Sequence, residues 1–175
     1  DSAVPLDMEN IEARIYTRVG DTTESIDSEP MTELEKYCKQ FEDGTFTDEG
    51  ATVECKDAYC KPHTDPGRPN KNLTETDKVD IAHSEIASMV NHEGGFLFAG
   101  IENGTWEVVG IDNQIQWKNR GNSDKFTQYV IERLTSAFGT QETSIFIEPT
   151  IVEIKGKSVL AIEVKKSELI PLFMK

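Results

Sequence analysis

Apolar positions recur along this chain at two periods, and each period predicts a different kind of element. Ala51-Thr-Val-Glu-Cys-Lys56 alternates apolar and polar side chains, the two-residue period of a half-buried strand, which sets Thr52, Glu54 and Lys56 on one face. Met31, Leu34, Tyr37, Cys38 and Phe41 recur at helical spacing, with Ser28 as the N-cap, Pro30 in the first turn and Gly44 as the stop. Thr74 and Asp77 read as a capping box with a short acid, and Val79, Ala82, Ile86, Met89 and Val90 then form one helical stripe that ends near His92 at Gly94-Gly95. Phe126, Val130, Leu134 and Phe138, with Tyr129 and Arg133 alongside, make a further helix that starts at Asn122 or Ser123 and stops at Gly139.

The strands have clear punctuation. Ala13 to Val19 is short and β-branched and runs into Gly20-Asp21. Phe96 to Ile101 is a continuous apolar run, as in a central strand, followed by a Glu102-Asn103-Gly104 turn and a second strand from Trp106 to Ile111. Ile145 to Ile154, a turn at Lys155-Gly156-Lys157, and Val159 to Val164 form a hairpin, with an apolar tail at Leu169 to Met174. Residues 61 to 72 are dense in Pro, Gly, Asn and charge, so they predict an exposed loop. From residue 51 the order β, α, β, β, α, β, β predicts an α+β fold: a mixed β-sheet with two or three packed helices, whose core includes Phe96, Phe98, Phe126 and Phe138.

Composition narrows the function classes. The 175 residues suit one domain. Cys38, Cys55 and Cys60 are too few and too odd for a disulfide scaffold, which points to a reducing compartment, the cytoplasm or the nucleus. His63, His83 and His92 lack the paired spacing of a zinc site. No apolar run is long enough for a transmembrane segment, and the acidic start is unlike a signal peptide, so a soluble chain is expected. There is no Walker or Rossmann glycine pattern, hence no motif for ATP or NAD. The net charge of −14 opposes nucleic-acid binding by the chain as a whole, but it is uneven. Residues 1 to 60 hold 16 acidic and 5 basic side chains, and residues 61 to 175 hold 16 and 13. A basic surface is therefore expected only in the second part, while the acidic first third reads as a solvated face or a dock for a basic partner.

Several segments together resemble the Schlafen AlbA-like family. Thr52-Val-Glu-Cys-Lys56 is similar to its E-F-K strand. Ala87-Ser-Met-Val-Asn-His-Glu-Gly-Gly-Phe-Leu-Phe-Ala-Gly-Ile101 is similar to its A-F-A-N-T-x-G-G-x-L-x-I-G-V block, the more specific match. Val108-Val-Gly-Ile-Asp112 and Pro171-Leu-Phe173 extend the likeness to residues 49–175, leaving residues 1–48 as an N-terminal strand and helix segment packed on the same fold. Ile15 to Thr23 looks like the Y-x-R-x-G-S-S-T strand that usually comes last. Its early position implies either a permuted domain, with strand 13–19 beside residues 171–175, or the end of a preceding copy.

The resemblance implies metal-dependent RNA cleavage in eukaryotic members, with tRNA-like, ribosomal or small-RNA-precursor substrates, including piRNA precursors among nematode Schlafen-like proteins. Such cleavage needs clustered carboxylates holding Mg²⁺ or Mn²⁺. Glu49, Glu54 and Glu102 are the candidate metal ligands, and Glu49, Glu54 and Lys56 the candidate catalytic set, Lys56 neutralising charge on the phosphate. An odd spacing would put Glu49 on the face opposite Glu54 unless Gly50 bends the chain. In the family the acid of the turn aligns nearer Asn103, an amide here, so a partner subunit is expected to complete the site. His63 and His92 are alternative bases, each more often a surface or capping residue. Lys118, Arg120 and Lys125, beside Trp117, are the candidate RNA contacts, against a plain polar loop with Trp117 in the core. Three readings follow: an endoribonuclease subunit, an inactive scaffold that assembles with other Schlafen-like chains, and, less favoured by the acidity, a DNA-binding regulator.

Overall fold

The computed structural model describes residues 30–60, 74–168 and 171, and the chain divides into a unit of Asp1–Met31 and one of Thr32–Lys175. Among the described residues of the second unit five helices and four strands follow in the order α1 (Glu33–Asp43), β1 (Val53–Lys56), α2 (Glu75–Asn91), β2 (Gly95–Ala99), α3 (Asp112–Asn119), α4 (Ser123–Phe138), α5 (Thr140–Phe146), β3 (Ile147–Ile154) and β4 (Lys157–Val164). The strand at 13–19, its proposed pairing, the loop at 61–72, Ser28, His63 and the tail beyond 168 (Pro171 apart) fall outside the described residues.

The sheet is mixed, in the order β1-β2-β4-β3. β1 and β2 run parallel, so the chain must cross over between them, and α2 is that crossover. β3 and β4 close as a hairpin through Lys155 and Gly156, both at positive φ (52° and 69°), the two-residue turn that suits a twisted strand pair.

Alternation along the strands divides the core in two. Leu97, Ala99, Leu160, Ile162 and Val164 meet the apolar stripes of α2 and α4 (Val79, Ala82, Ile86; Phe126, Val130, Leu134, Phe138). Val53, Cys55, Phe96, Phe98, Val159 and Ala161 face the other way, onto Phe41 and Phe46. Phe98 is fully buried, with Phe41 edge-on at 5.1 Å between ring centroids. Thr32 caps α1 through a full capping box with Glu35, and Thr74 and Asp77 do the same for α2.

Besides α1, which starts at Glu33 with Thr32 as its cap and leaves Pro30 outside the first turn, three elements differ from the pattern-based expectation. Asp112–Asn119 is a helix, not a loop: Gln114 and Ile115 alone of its residues are buried, too few to give a periodic signal. The Gln114 side chain earns its burial by accepting both the Tyr59 and Cys60 N–H groups at 3.1 Å. The strand expected at Trp106–Ile111 is reduced to a single bridge between Ile101 and Val108, because Trp106 takes positive φ (58°) and breaks the ladder. α5 covers Thr140–Phe146, so the strand predicted from Ile145 begins at Ile147.

One buried polar pair makes the fold sensitive to acid. The Tyr59 hydroxyl bonds His83 Nε2 at 2.9 Å, and burial, reinforced by the Arg133 charge, pushes the imidazole down to about 4. The unfolded chain takes up this proton near 6.5 and the folded chain near 4, so stability is complete above 6.5 and falls as pH drops through that window. We expect a loss of about 2–3 kcal/mol between neutral pH and pH 4 from this group. Urea unfolding of the wild type and of His83→Gln, which keeps an acceptor for Tyr59 but does not titrate there, checks it. Parallel pH profiles for the two would remove His83 as the cause.

Candidate functional site on strand β1

The candidate site is built on an edge strand. Along β1 the 52, 54 and 56 carbonyls turn toward β2, as the bonds from Phe96 N–H to Thr52 O (2.8 Å) and from Gly100 N–H to Lys56 O (2.7 Å) show. The Cys55 N–H therefore points outward, and Glu49 satisfies it: its Oε1 accepts from Cys55 N at 2.5 Å. The chain doubles back to achieve this through a turn from Gly50 to Val53, so Glu49 lies across the strand edge instead of continuing the strand. The other Glu49 oxygen accepts from Asn103 Nδ2 at 2.9 Å.

Glu54 and Lys56 project from the sheet face that α2 covers. They pair with each other, and Lys56 Nζ also lies 3.8 Å from Glu85 on α2. Both side chains are only about a fifth exposed (20% for Glu54 and 21% for Lys56), unlike an ordinary surface pair. One residue further on, Asp57 pairs with Lys78 at 2.7 Å, and Lys78 is itself buried. Burial pushes the Glu49 carboxyl above the usual range, with the Glu54 charge adding to it and the Cys55 N–H, Lys56 and the Asn103 amide drawing it back. Glu49, Glu54 and Lys56 thus share one electrostatic neighbourhood.

Glu102 bonds within its own turn: its carboxylate accepts from the Thr105 hydroxyl at 2.9 Å, while Asn103 is the turn residue that meets Glu49. Among the described residues no three His, Cys, Asp or Glu side chains converge closely enough to hold a metal ion. The residues as placed do not fit Mg²⁺ or Mn²⁺ as a site formed by this chain alone, since hard cations take several oxygen ligands and here one place is held by an amide donor that points at the acid.

Lys118, Arg120 and Lys125 lie on or beside α3 and α4. Lys118 is occupied: it pairs with Glu75 at 2.9 Å and sits over the Tyr129 ring at 4.4 Å and the Trp117 ring at 5.3 Å. The Tyr129 hydroxyl also bonds Glu75 at 2.7 Å. Burial alone would raise the Glu75 carboxyl, but Tyr129 and Lys118 together hold it below the usual range. Trp117 is 47% exposed, not tucked into the core, and Arg120 and Lys125 are exposed as well. Arg120 is the left-handed C-cap of α3 (φ 54°). Sequence reasoning missed Glu85, Asp57, Lys78, Glu75 and Tyr129, whose partners lie across elements. The hint was Lys78, a lysine beside the apolar stripe of α2, where a buried charge demands a partner.

A parallel β1-α2-β2 unit, an edge strand bearing paired Glu54 and Lys56, and an antiparallel hairpin define an α+β domain with a polar site at its sheet edge. The chain belongs to the Schlafen, AlbA_2 family, whose family model matches residues 49–175. Among solved structures it is similar to the DIP2311 protein from Corynebacterium diphtheriae at 21% identity and TM-score 0.45, covering 70% of this chain and 19% of that one. It is also similar to the N-terminal domain of a putative ATP-dependent DNA helicase RecG-related protein from Nitrosomonas europaea at 17% identity and TM-score 0.49, covering 79% of each chain. This chain thus spans about a fifth of the Corynebacterium protein. No curated protein matches it. Among the described residues no helix is long and apolar enough to cross a membrane.

Proposed function

We propose that this chain is an RNA-processing Schlafen-type subunit whose Glu49, Glu54 and Lys56 serve metal-dependent phosphodiester cleavage only when another Schlafen-type chain supplies the missing acid. The observation that carries this reading is Asn103 bonded to Glu49 at 2.9 Å, an amide in the place where a third carboxylate would complete a cation site. Glu49 and Glu54, together with the partner's acid, would hold Mg²⁺ or Mn²⁺, the cation would supply Lewis-acid chemistry, and Lys56 would offer positive charge to the phosphate. Trp117, exposed next to Arg120, offers an RNA base a stacking surface beside a cation, the combination by which single strands are held.

A second reading, a non-catalytic scaffold, draws on the engagement of every candidate acid with another group and on the acidity of the first 60 residues. Glu54→Ala separates the two. In an assembled complex on a labelled structured RNA, the nuclease reading expects cleavage to fall by about 100-fold or more with the fold and the assembly retained. Cleavage at the wild-type rate by the variant complex assigns catalysis to another chain.

A further inference from the structure

Among the described residues, the opposite edge of the sheet carries a groove of its own. We infer that β3 is a docking edge that takes an extended, lysine- or arginine-bearing segment of a partner protein as an added antiparallel or parallel strand. This inference stands apart from the reading of β1.

Its basis is the hairpin register. Ile154 and Lys157 close a two-residue turn, so they exchange hydrogen bonds, and the alternation then gives Val152, Thr150 and Glu148 the same inward role. The bond from Lys165 N–H to Phe146 O at 2.7 Å keeps that parity beyond the strand. Pro149, Ile151 and Glu153 consequently turn their backbone groups away from β4. Pro149 confirms the parity, because a residue without an N–H is tolerated only where the ladder needs none. Among the described residues no backbone group bonds Ile151 or Glu153 on that outer side. Among the described residues this edge thus offers two N–H and three C=O groups in a row.

A cleft of about 490 Å³ runs along the same five residues, Pro149 to Glu153, and is closed on the other side by the start of α4, at Ser123, Asp124 and Thr127. Its lining holds two carboxylates, Asp124 and Glu153, and no cation. Lys125 and Lys155 are near in sequence but do not line it. Acidic side chains on an edge repel acidic strands and accept basic ones. A second copy of this chain would bring the same acidic lining up to itself within a protein of net charge −14, so the occupant that fits is a basic segment of a different chain. Backbone pairing supplies affinity in such strand addition, and the cleft beside it selects the side chain.

The test uses the whole chain, ¹⁵N-labelled, with an alternating lysine–valine peptide of the strand's length and its glutamate–valine counterpart as probes. The free chain should show fast hydrogen exchange at the Ile151 and Glu153 amides. The lysine peptide should slow that exchange and shift those signals with Asp124, binding about ten-fold or more tightly than the glutamate peptide. Ile151→Pro, which removes one outward N–H at the parity Pro149 already occupies, and the separate charge reversal Glu153→Lys should each abolish the preference. The inference is overturned by amides already protected in the free chain, by equal binding of both peptides, or by binding of neither. A concentration-dependent dimer of the free chain that protects these amides would overturn it too, assigning the edge to a second copy.

Discussion

Gly95→Ala is expected to detach β1 from the sheet and to cost on the order of 3–5 kcal/mol, the largest single-residue effect in the domain. Gly95 opens β2 at φ +139°, a backbone state that side chains rarely adopt, and a Cβ placed there would lie 2.0 Å from the Thr52 carbonyl oxygen. That oxygen is the acceptor of the Phe96 N–H at 2.8 Å, the first rung between the parallel strands. Relief requires β1 and β2 to part at this rung. Glu54 and Lys56 ride on β1, so the site would be lost with the strand. Gly104→Ala is the control: its φ is +86° but no atom lies within 4 Å of the added carbon, so only the backbone cost of about 1–2 kcal/mol applies. Urea unfolding, with hydrogen exchange at Val53 to Lys56, checks both. Equal effects from the two substitutions would mean that close strand approach at Gly95 contributes nothing.

The second large effect is expected from Asn103→Asp. The amide now donates to Glu49, whose carboxyl is already raised by burial and by the Glu54 charge. A carboxylate in its place removes the donor and adds a like charge, raising the Glu49 carboxyl further. A carboxyl held above its unfolded value is stabilising below that value and loses the benefit as pH rises through the folded one. The variant should accordingly be less stable than the wild type at neutral pH, by about 1–2 kcal/mol, and recover as the medium is acidified toward the ordinary glutamate range. Mg²⁺ or Mn²⁺ should reverse the loss, because Glu49, Glu54 and the new acid then offer three hard oxygen ligands. A cation at 100 times its dissociation constant adds about 2.7 kcal/mol. Thermal unfolding with and without cation reads the effect, with the wild type expected to respond little. Equal cation response in both proteins would show that position 103 does not face a metal site.

Long, strongly periodic segments were legible from sequence alone. The stripe Val79, Ala82, Ile86, Met89, Val90 and the stripe Phe126, Val130, Leu134, Phe138 became the buried faces of α2 and α4, and the run after Gly95 became the central strand β2. The α+β class and mixed sheet follow from these, although the described residues hold five helices where two or three were expected. α3 escaped because its burial is polar: Gln114 enters the core to satisfy two backbone N–H groups, a role that hydrophobic periodicity does not register.

The site divides along the same line. Glu54 and Lys56 share a face because a strand has a period of two, and this was readable from their spacing. The position of Glu49 depended on a turn at Gly50 to Val53 that folds it across the edge, and the turn type was not readable. Which turn residue meets it, Asn103 and not Glu102, was set by Gly100 and Ile101, whose N–H groups both bond the Lys56 carbonyl and so aim the turn that follows. Pairings across elements, such as Lys78 with Asp57 and Lys56 with Glu85, exist only once α2 has crossed over β1.

RNA cleavage measured as a Schlafen-type partner chain is titrated into this one, with a labelled structured RNA and fixed Mg²⁺ or Mn²⁺, tests whether the site is shared between two chains. This chain alone should not cleave, and cleavage should rise and saturate at a fixed stoichiometry as the partner supplies the third acid. Full cleavage by this chain alone, or none in any stable complex, would contradict a shared site.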